Sequence, residues 1–139
     1  MIQLIIYGEP VAQGRPRFAR RGNFVTTYDP KKSRDYKDTV YSVAVEKRPE
    51  QLMDGPLSVK IKAFKGIPKS FSKKKALEAE TGLLLPVTKP DCDNYAKGVK
   101  DALKGVIWRD DSQVVRLVIE KMYSTVPRLE VEISEVKPG

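Results

Sequence analysis

Apolar residues recur at every second position along several stretches of this chain, and a period of two is a strand pattern. Leu57, Val59, Ile61 and Ala63 alternate with Ser58, Lys60 and Lys62; this buries one face of a strand and leaves lysines on its wet side. Val114 to Tyr123 and Arg128 to Val136 alternate in the same way, and Ser124-Thr125-Val126-Pro127 between them predicts a hairpin. Ile2 to Tyr7 adds a short apolar strand ended by Gly8-Glu9-Pro10, and Phe24 to Tyr28 reads as another. Helical spacing interrupts these runs. Asp29-Pro30 predicts a helix start with Tyr36, Val40, Val43 and Ala44 inward, running to about Lys47 before Pro49. Ser72 caps a short helix to about Glu80, and Asn94 to Leu103 is a third, with Tyr95, Val99, Ala102 and Leu103 as its stripe and Gly105 just past its end. The order β-(β)-α-β-α-α-β-β predicts an α/β fold of the mixed α+β kind, a small mixed β-sheet flanked by helices, with residues 1–139 forming a single domain.

What is missing narrows the chemistry. The 139 residues include no histidine and one cysteine, Cys92. That removes Ser/His/Asp and Cys/His nucleophile pairs, His-ligated zinc and the usual neutral-pH base, leaving carboxylates, lysine, tyrosine or a metal. There is no P-loop or dinucleotide-binding glycine fingerprint, so no nucleotide cofactor is expected. The longest apolar run, Leu4 to Tyr7, is too short for a membrane, and one cysteine suits a reducing cytoplasm.

Charge is divided unevenly. The net charge is +8, yet residues 1–77 carry 17 basic and 7 acidic side chains, while residues 78–139 carry 9 and 11. Gln13 to Asn23 holds Arg15, Arg17, Arg20 and Arg21 without periodicity and reads as a mobile basic loop. Gly55 to Leu77 contains seven lysines and no acid, and Lys73-Lys74-Lys75 opposes the dipole of its own helix. Such a half suits phosphate backbones, although a solvated lysine face has the same composition.

Against that background, five of nine aspartates (Asp91, Asp93, Asp101, Asp110 and Asp111) fall within 21 residues. Crowded carboxylates repel one another unless a cation relieves them, and hard ions such as Mg²⁺ take carboxylate oxygens. Asp93, Lys97 and Asp101 share one helix face at i, i+4 and i+8, and a neighbouring strand would bring Asp110-Asp111 back toward the helix start. Each has a plainer alternative: Asp93 as an N-cap, Lys97 in a surface salt-bridge ladder, Asp101 as structural, Asp110-Asp111 as turn residues. Asp91, after Pro90 and so near Asp93, is hardest to explain structurally. Trp108 reads as core and Cys92 as a small inward-facing residue. An EF-hand beginning at Asp91 is excluded by Ala96 and Ala102 at its glycine and glutamate positions.

The string Lys89-Pro90-Asp91-Cys92-Asp93-Asn94-Tyr95-Ala96-Lys97, then Asp101-Ala102-Leu103-Lys104-Gly105, then Trp108-Arg109-Asp110-Asp111-Ser112-Gln113-Val114, closely resembles the RusA family of Holliday junction resolvases, enzymes often carried by phages and prophages. Agreement is dense from about Pro86 to Lys121 and weaker over Gly8-Glu9-Pro10, Gly14-Arg15-Pro16-Arg17 and Ile67-Pro68-Lys69-Ser70. The resemblance implies a homodimer that cuts four-way DNA by paired symmetric nicks in recombination and repair, using Mg²⁺ with Mn²⁺ as an expected substitute. Carried across, the catalytic and metal-holding aspartates are Asp91, Asp93 and Asp111, with Asp110 able to exchange with Asp111, and the family lysine is Lys97. Cys92 departs from the aliphatic residue expected there. Arg15, Arg17, Arg20, Arg21, Lys69, Lys73, Lys74, Lys75 and Lys89 are the candidate DNA contacts. The competing readings are a non-catalytic nucleic-acid-binding protein, a nuclease acting on flaps or duplex, and a structural metal site.

Overall fold

The computed structural model describes residues 1–14, 17–22, 24–28 and 30–137, with backbone alone at 17–19, 21 and 24–28. Its elements in chain order are β1 (Ile2–Tyr7), β2 (Arg17–Arg21), β3 (Phe24–Tyr28), α1 (Lys31–Glu46), β4 (Leu57–Gly66), α2 (Lys73–Glu80), α3 (Cys92–Leu103), β5 (Val114–Ser124) and β6 (Arg128–Glu135). Four strands form a mixed sheet in the order β1-β6-β4-β5, and β2-β3 form a separate antiparallel ribbon. The mixed α+β architecture is thus as expected. No helix among the described residues is long and apolar enough to cross a membrane.

The alternation of β4 explains its central place. Leu57, Val59, Ile61 and Ala63 are fully buried beside Leu129, Val131 and Ile133 of β6, which in turn lie beside Leu4 and Ile6 of β1. α1 covers this surface with Val40 and Ala44, and α3 with Tyr95, Ala96, Val99, Ala102 and Leu103. Ile107 and Trp108 close the core just past α3. The other sheet face is a charged ladder: Lys60 stands opposite Glu132 and Lys62 opposite Glu130, and Lys60 also reaches Glu120 at 3.7 Å. Opposite charges across strands favour this register.

Two sequence expectations are corrected. β5 and β6 do not form a hairpin. β5 pairs with β4 in parallel and β6 pairs with β4 on the other side, antiparallel. Ser124 pairs with Gly66 and Arg128 with Phe64, so residues 125–127 step across the end of β4. The step is tied down by Arg128, which donates to Ser124 Oγ at 3.1 Å and Val126 O at 3.0 Å, and by Gly8 N–H on Pro127 O at 3.0 Å. Alternation records which face is buried and is silent about which strand lies beside it, so two adjacent alternating runs imitate a hairpin. Nor is Gln13 to Asn23 a structureless loop. Its second half is β2, paired with β3 from Arg17 opposite Tyr28 to Arg21 opposite Phe24, with Gly22 at φ +61 in the turn. The arginine-rich composition hid a strand whose partner begins three residues later.

The helix starts shift slightly. α1 begins after Pro30, which occupies the N-cap position without a side-chain cap bond; Asp29 lies outside the described residues. Ser72 caps α2 as expected, accepting from Lys75 N–H at 3.2 Å. α3 begins two residues earlier than its apolar stripe suggests, with Asp91 at its N-cap position.

Removing side-chain volume at the middle of β4 leaves a cavity between two neighbouring strands. Ile61→Ala is therefore expected to destabilise the fold by about 2–5 kcal/mol, read from urea unfolding midpoints at unchanged slope.

Candidate active site

A parallel β4-β5 pair dictates where the aspartates go. The chain leaves the end of β4 and must return to the end of the sheet at which β4 began before it can start β5, and α3 is the final leg of that return. Its first turn therefore lies beside the far ends of the strands and its last turn beside their start. At about 1.5 Å per residue, twelve residues span roughly 18 Å.

Asp91 and Asp93 stand at the first end. Asp91 is exposed, and although it occupies the N-cap position its side chain makes no capping bond; only its carbonyl is engaged, accepting Asn94 N–H at 3.2 Å. Asp93 is exposed one step into the helix, where negative charge suits the dipole. Lys97 follows one turn on, exposed, and no ion pair joins it to Asp93 or Asp101. Asp101 pairs instead with Lys37 of α1 at 3.7 Å, a structural role. Asp93, Lys97, Cys92, Ala96 and Lys100 of α3 face Leu117 and Ile119 of β5 across a shallow groove, and Cys92 is half-buried there as a free thiol.

The segment leading into Asp91 is held from the sheet. Lys65 Nζ donates to Thr88 Oγ1 at 3.2 Å and Lys89 O at 2.9 Å, while Lys121 Nζ donates to Thr88 O at 2.8 Å and Pro90 O at 3.0 Å. Beneath the other flank, Tyr95 is 2% exposed with a hydroxyl that finds no partner among the described residues. Burial, and after it the charge of Glu9, pushes the Tyr95 hydroxyl up to about 12; burial likewise raises Tyr36. Both phenols therefore stay protonated at neutral pH.

Asp110 and Asp111 stand at the other end of α3. Trp108, wholly buried, donates its indole N–H to Asp111 Oδ1 at 2.8 Å. Gln113 knits the turn: its Oε1 accepts from Arg109 N–H and Asp110 N–H, and its Nε2 donates to Met53 O and Gly55 O. Asp110 accepts from the backbone and hydroxyl of Ser112 and lies 3.2 Å from the Lys104 ammonium. These Ser112 hydrogen bonds, with Lys104 beside them, pull its carboxyl down to about 2. One chain thus does not gather the four aspartates: the pairs flank the length of α3, and no group of three or more metal-ligating side chains converges among the described residues.

The basic candidates divide. Lys69, Lys73, Lys74, Lys75 and Lys89 are exposed, and Lys75 sits 4.2 Å over the Phe71 ring, which meets Tyr123 edge-on at 5.7 Å. Phe71, Lys75 and Tyr123 share a groove with Lys65, Val87 and Thr88, so this basic surface runs up to the segment before Asp91. Arg20 is exposed on β2. Arg15 lies outside the described residues, as do the side chains of Arg17 and Arg21.

A family model for the RusA endodeoxyribonucleases matches residues 7–134. The chain belongs to that family. It is accordingly a nuclease of the class that acts on DNA junctions, and RusA-family nucleases generally depend on a divalent metal. The chain is also 54% identical over 137 residues, 97% of its own length and 96% of the other, to the protein of Bacillus subtilis (strain 168) named Uncharacterized protein YqaN.

Sequence reasoning passed over Lys65, Lys121 and the Trp108–Asp111 bond. A signal for the lysines was present: each continues an alternating set, Leu57/Val59/Ile61/Ala63 or Val115/Leu117/Ile119, at a position where an apolar residue belongs. Because the native carboxyl of Asp110 is depressed from 3.8 to about 2, its contribution to the turn is complete above 3.8 and lost as pH falls through about 2. A carbon-detected NMR titration of Asp110 should give a midpoint near 2, and Ser112→Ala should move it upward.

Proposed function

We propose that this chain is a Mg²⁺-dependent endonuclease that resolves four-way DNA junctions by paired symmetric nicks, working as a homodimer on branched DNA. The observation that carries this reading is the exposed Asp91–Asp93 pair with Lys97 one turn on, in a RusA-family chain whose Asp91 carboxylate is not consumed by capping. Aspartate oxygens are the donors that hard divalent ions take, and Mg²⁺ is commonly held by one or two carboxylates with water and phosphate completing its shell, so the pair fits. Mn²⁺ accepts the same donors.

When bound, the cation supplies Lewis-acid polarisation of the phosphodiester. The chain's own residues do the rest. Asp91 and Asp93 would hold the cation at the start of α3, where its positive charge would offset that of the scissile phosphate. Lys97 faces the same groove and offsets charge developing on the phosphoryl oxygens. Lys69, Lys73, Lys74, Lys75 and Lys89, with the arginines Arg15, Arg17, Arg20 and Arg21, grip backbone phosphates without reading bases, which suits recognition by shape. A lone free cysteine requires no oxidising compartment and supports a cytoplasmic setting.

Asp111 joins this site most economically through a second copy. β5 is an edge strand carrying exposed Val115, Leu117 and Val118, surface that a soluble monomer seldom leaves open. A twofold that runs two β5 edges antiparallel carries the start of one strand toward the end of the other, and with it the partner subunit's Asp111 toward Asp91 and Asp93. Two such sites per dimer match two symmetric cuts. Asp110, engaged by Ser112 and Lys104, is the less available of its pair. Asp111 is oriented by Trp108 through Oδ1, and its second oxygen has no partner among the described residues.

The test uses end-labelled four-way junction and matched linear duplex, each with Mg²⁺ and with EDTA. Cuts at symmetric positions are expected in the junction alone and only with Mg²⁺. Asp91→Asn and Asp111→Asn should each lower cutting by at least about 100-fold while junction binding is retained or tightened. Normal cutting by both variants would remove these residues from the site, and binding without cutting in either metal would leave a binding protein.

A further inference from the structure

Lys65 and Lys121, both half-buried, continue β4 and β5 on the side of the sheet that carries the apolar residues. In the β4-β5 register Ala63 lies opposite Lys121 and Lys65 opposite Tyr123, so the two lysines are diagonal neighbours on the helix-facing side of the sheet. Two like charges brought together on that side are unfavourable unless both ammonium groups find strong acceptors. None of the ion pairs among the described residues involves either lysine. Their acceptors are instead the Thr88 hydroxyl and the carbonyls of Thr88, Lys89 and Pro90, four bonds of 2.8 to 3.2 Å onto three consecutive residues that end immediately before Asp91.

That segment needs such an anchor. It precedes the first turn of α3, whose N-cap carboxylate makes no bond back to the helix, and Val87 just before it is 94% exposed. Bonds from a charged donor are stronger than neutral ones, and these arise from two paired strands, the stiffest part of the sheet. A further tie runs through Glu9, whose Oε2 accepts Gly66 N–H at 3.0 Å and fixes the end of β4 next to Lys65.

We propose that Lys65 and Lys121 are positioning residues that clamp the Thr88–Pro90 backbone so that the Asp91 and Asp93 carboxylates are held ready for a divalent cation, and that their two charges favour this acidic pair without neutralising it directly. The proposal rests on the reading of Asp91 and Asp93 as the cation-holding pair. Neither lysine touches the phosphate in this account; each acts through the backbone it holds.

The test uses the full chain with Lys65→Met, Lys121→Met and Lys121→Arg. Calorimetric titration with Mn²⁺ alone should show affinity about 10- to 100-fold weaker in each Met variant, with kcat for junction cutting falling in parallel and KM for the junction held within about twofold. Hydrogen exchange at amides 88–94 should quicken, and Lys121→Arg, which keeps charge and donors, should recover much of the metal affinity. Unchanged Mn²⁺ affinity and unchanged exchange in the Met variants overturn the proposal, as does a rise in KM at constant kcat, which would make the lysines DNA contacts. A fall in melting temperature with metal affinity intact also overturns it, leaving the lysines purely structural. If Lys121→Met does not fold, Lys65→Met and Lys121→Arg decide. Should the wild-type chain bind Mn²⁺ yet cut no junction, the functional reading fails while titration and exchange still judge the clamp.

Discussion

β4 is paired on both of its edges, and the course of the chain around it follows from that. This strand buries Leu57, Val59, Ile61 and Ala63 under the helices and spends both edges on hydrogen bonds, to β6 antiparallel and to β5 parallel. A parallel neighbour cannot be reached by a tight turn, so the chain between Gly66 and Val114 must travel back along the sheet. α3 is that return, and its direction decides the site: Asp91 and Asp93 go to the end of the strands, where Lys65 and Lys121 also emerge, and Asp110 and Asp111 to the beginning. The acidic residues, close in sequence, are separated because the topology leaves no other course.

Much of this was legible from residue patterns, and the errors have one cause. Alternation located β4, β5 and β6, because period-two burial is a local consequence of one buried face, and a short apolar run located β1. The 3.6 period located α1 and α3, the Ser72 cap located α2, and Gly105 marked the end of α3. Neighbour relations were not legible. The run from Val114 to Val136 looks like a hairpin in any one-dimensional reading, and only competition for the edges of β4 separates its halves. The same loss of pairing information disguised β2 inside an arginine-rich stretch.

The site shows the same division. The aspartate cluster and the D-x-D-N-x-x-K string identified the family, and the geometry has Asp91 and Asp93 exposed and adjacent at the start of α3. The supposition that Asp110 and Asp111 return to the same helix end required knowledge of strand order. What the pattern did hold, unread, was two lysines on apolar registers. A charged residue at an inward position demands an acceptor, and here the acceptors are the backbone atoms that precede Asp91. Trp108 was expected as core; its indole N–H adds a second role by orienting Asp111.

On the proposed reading, a chain with its acidic pairs at opposite ends of one helix builds a cutting site only with a second copy of itself. Heterodimers purified from co-expressed Asp91→Asn and Asp111→Asn chains carrying different tags test this most directly. In such a dimer one shared site is doubly defective and the other is intact. The heterodimer is expected to regain junction nicking, confined to one strand, while each homodimer stays inactive. A heterodimer as inactive as either parent would contradict the shared site.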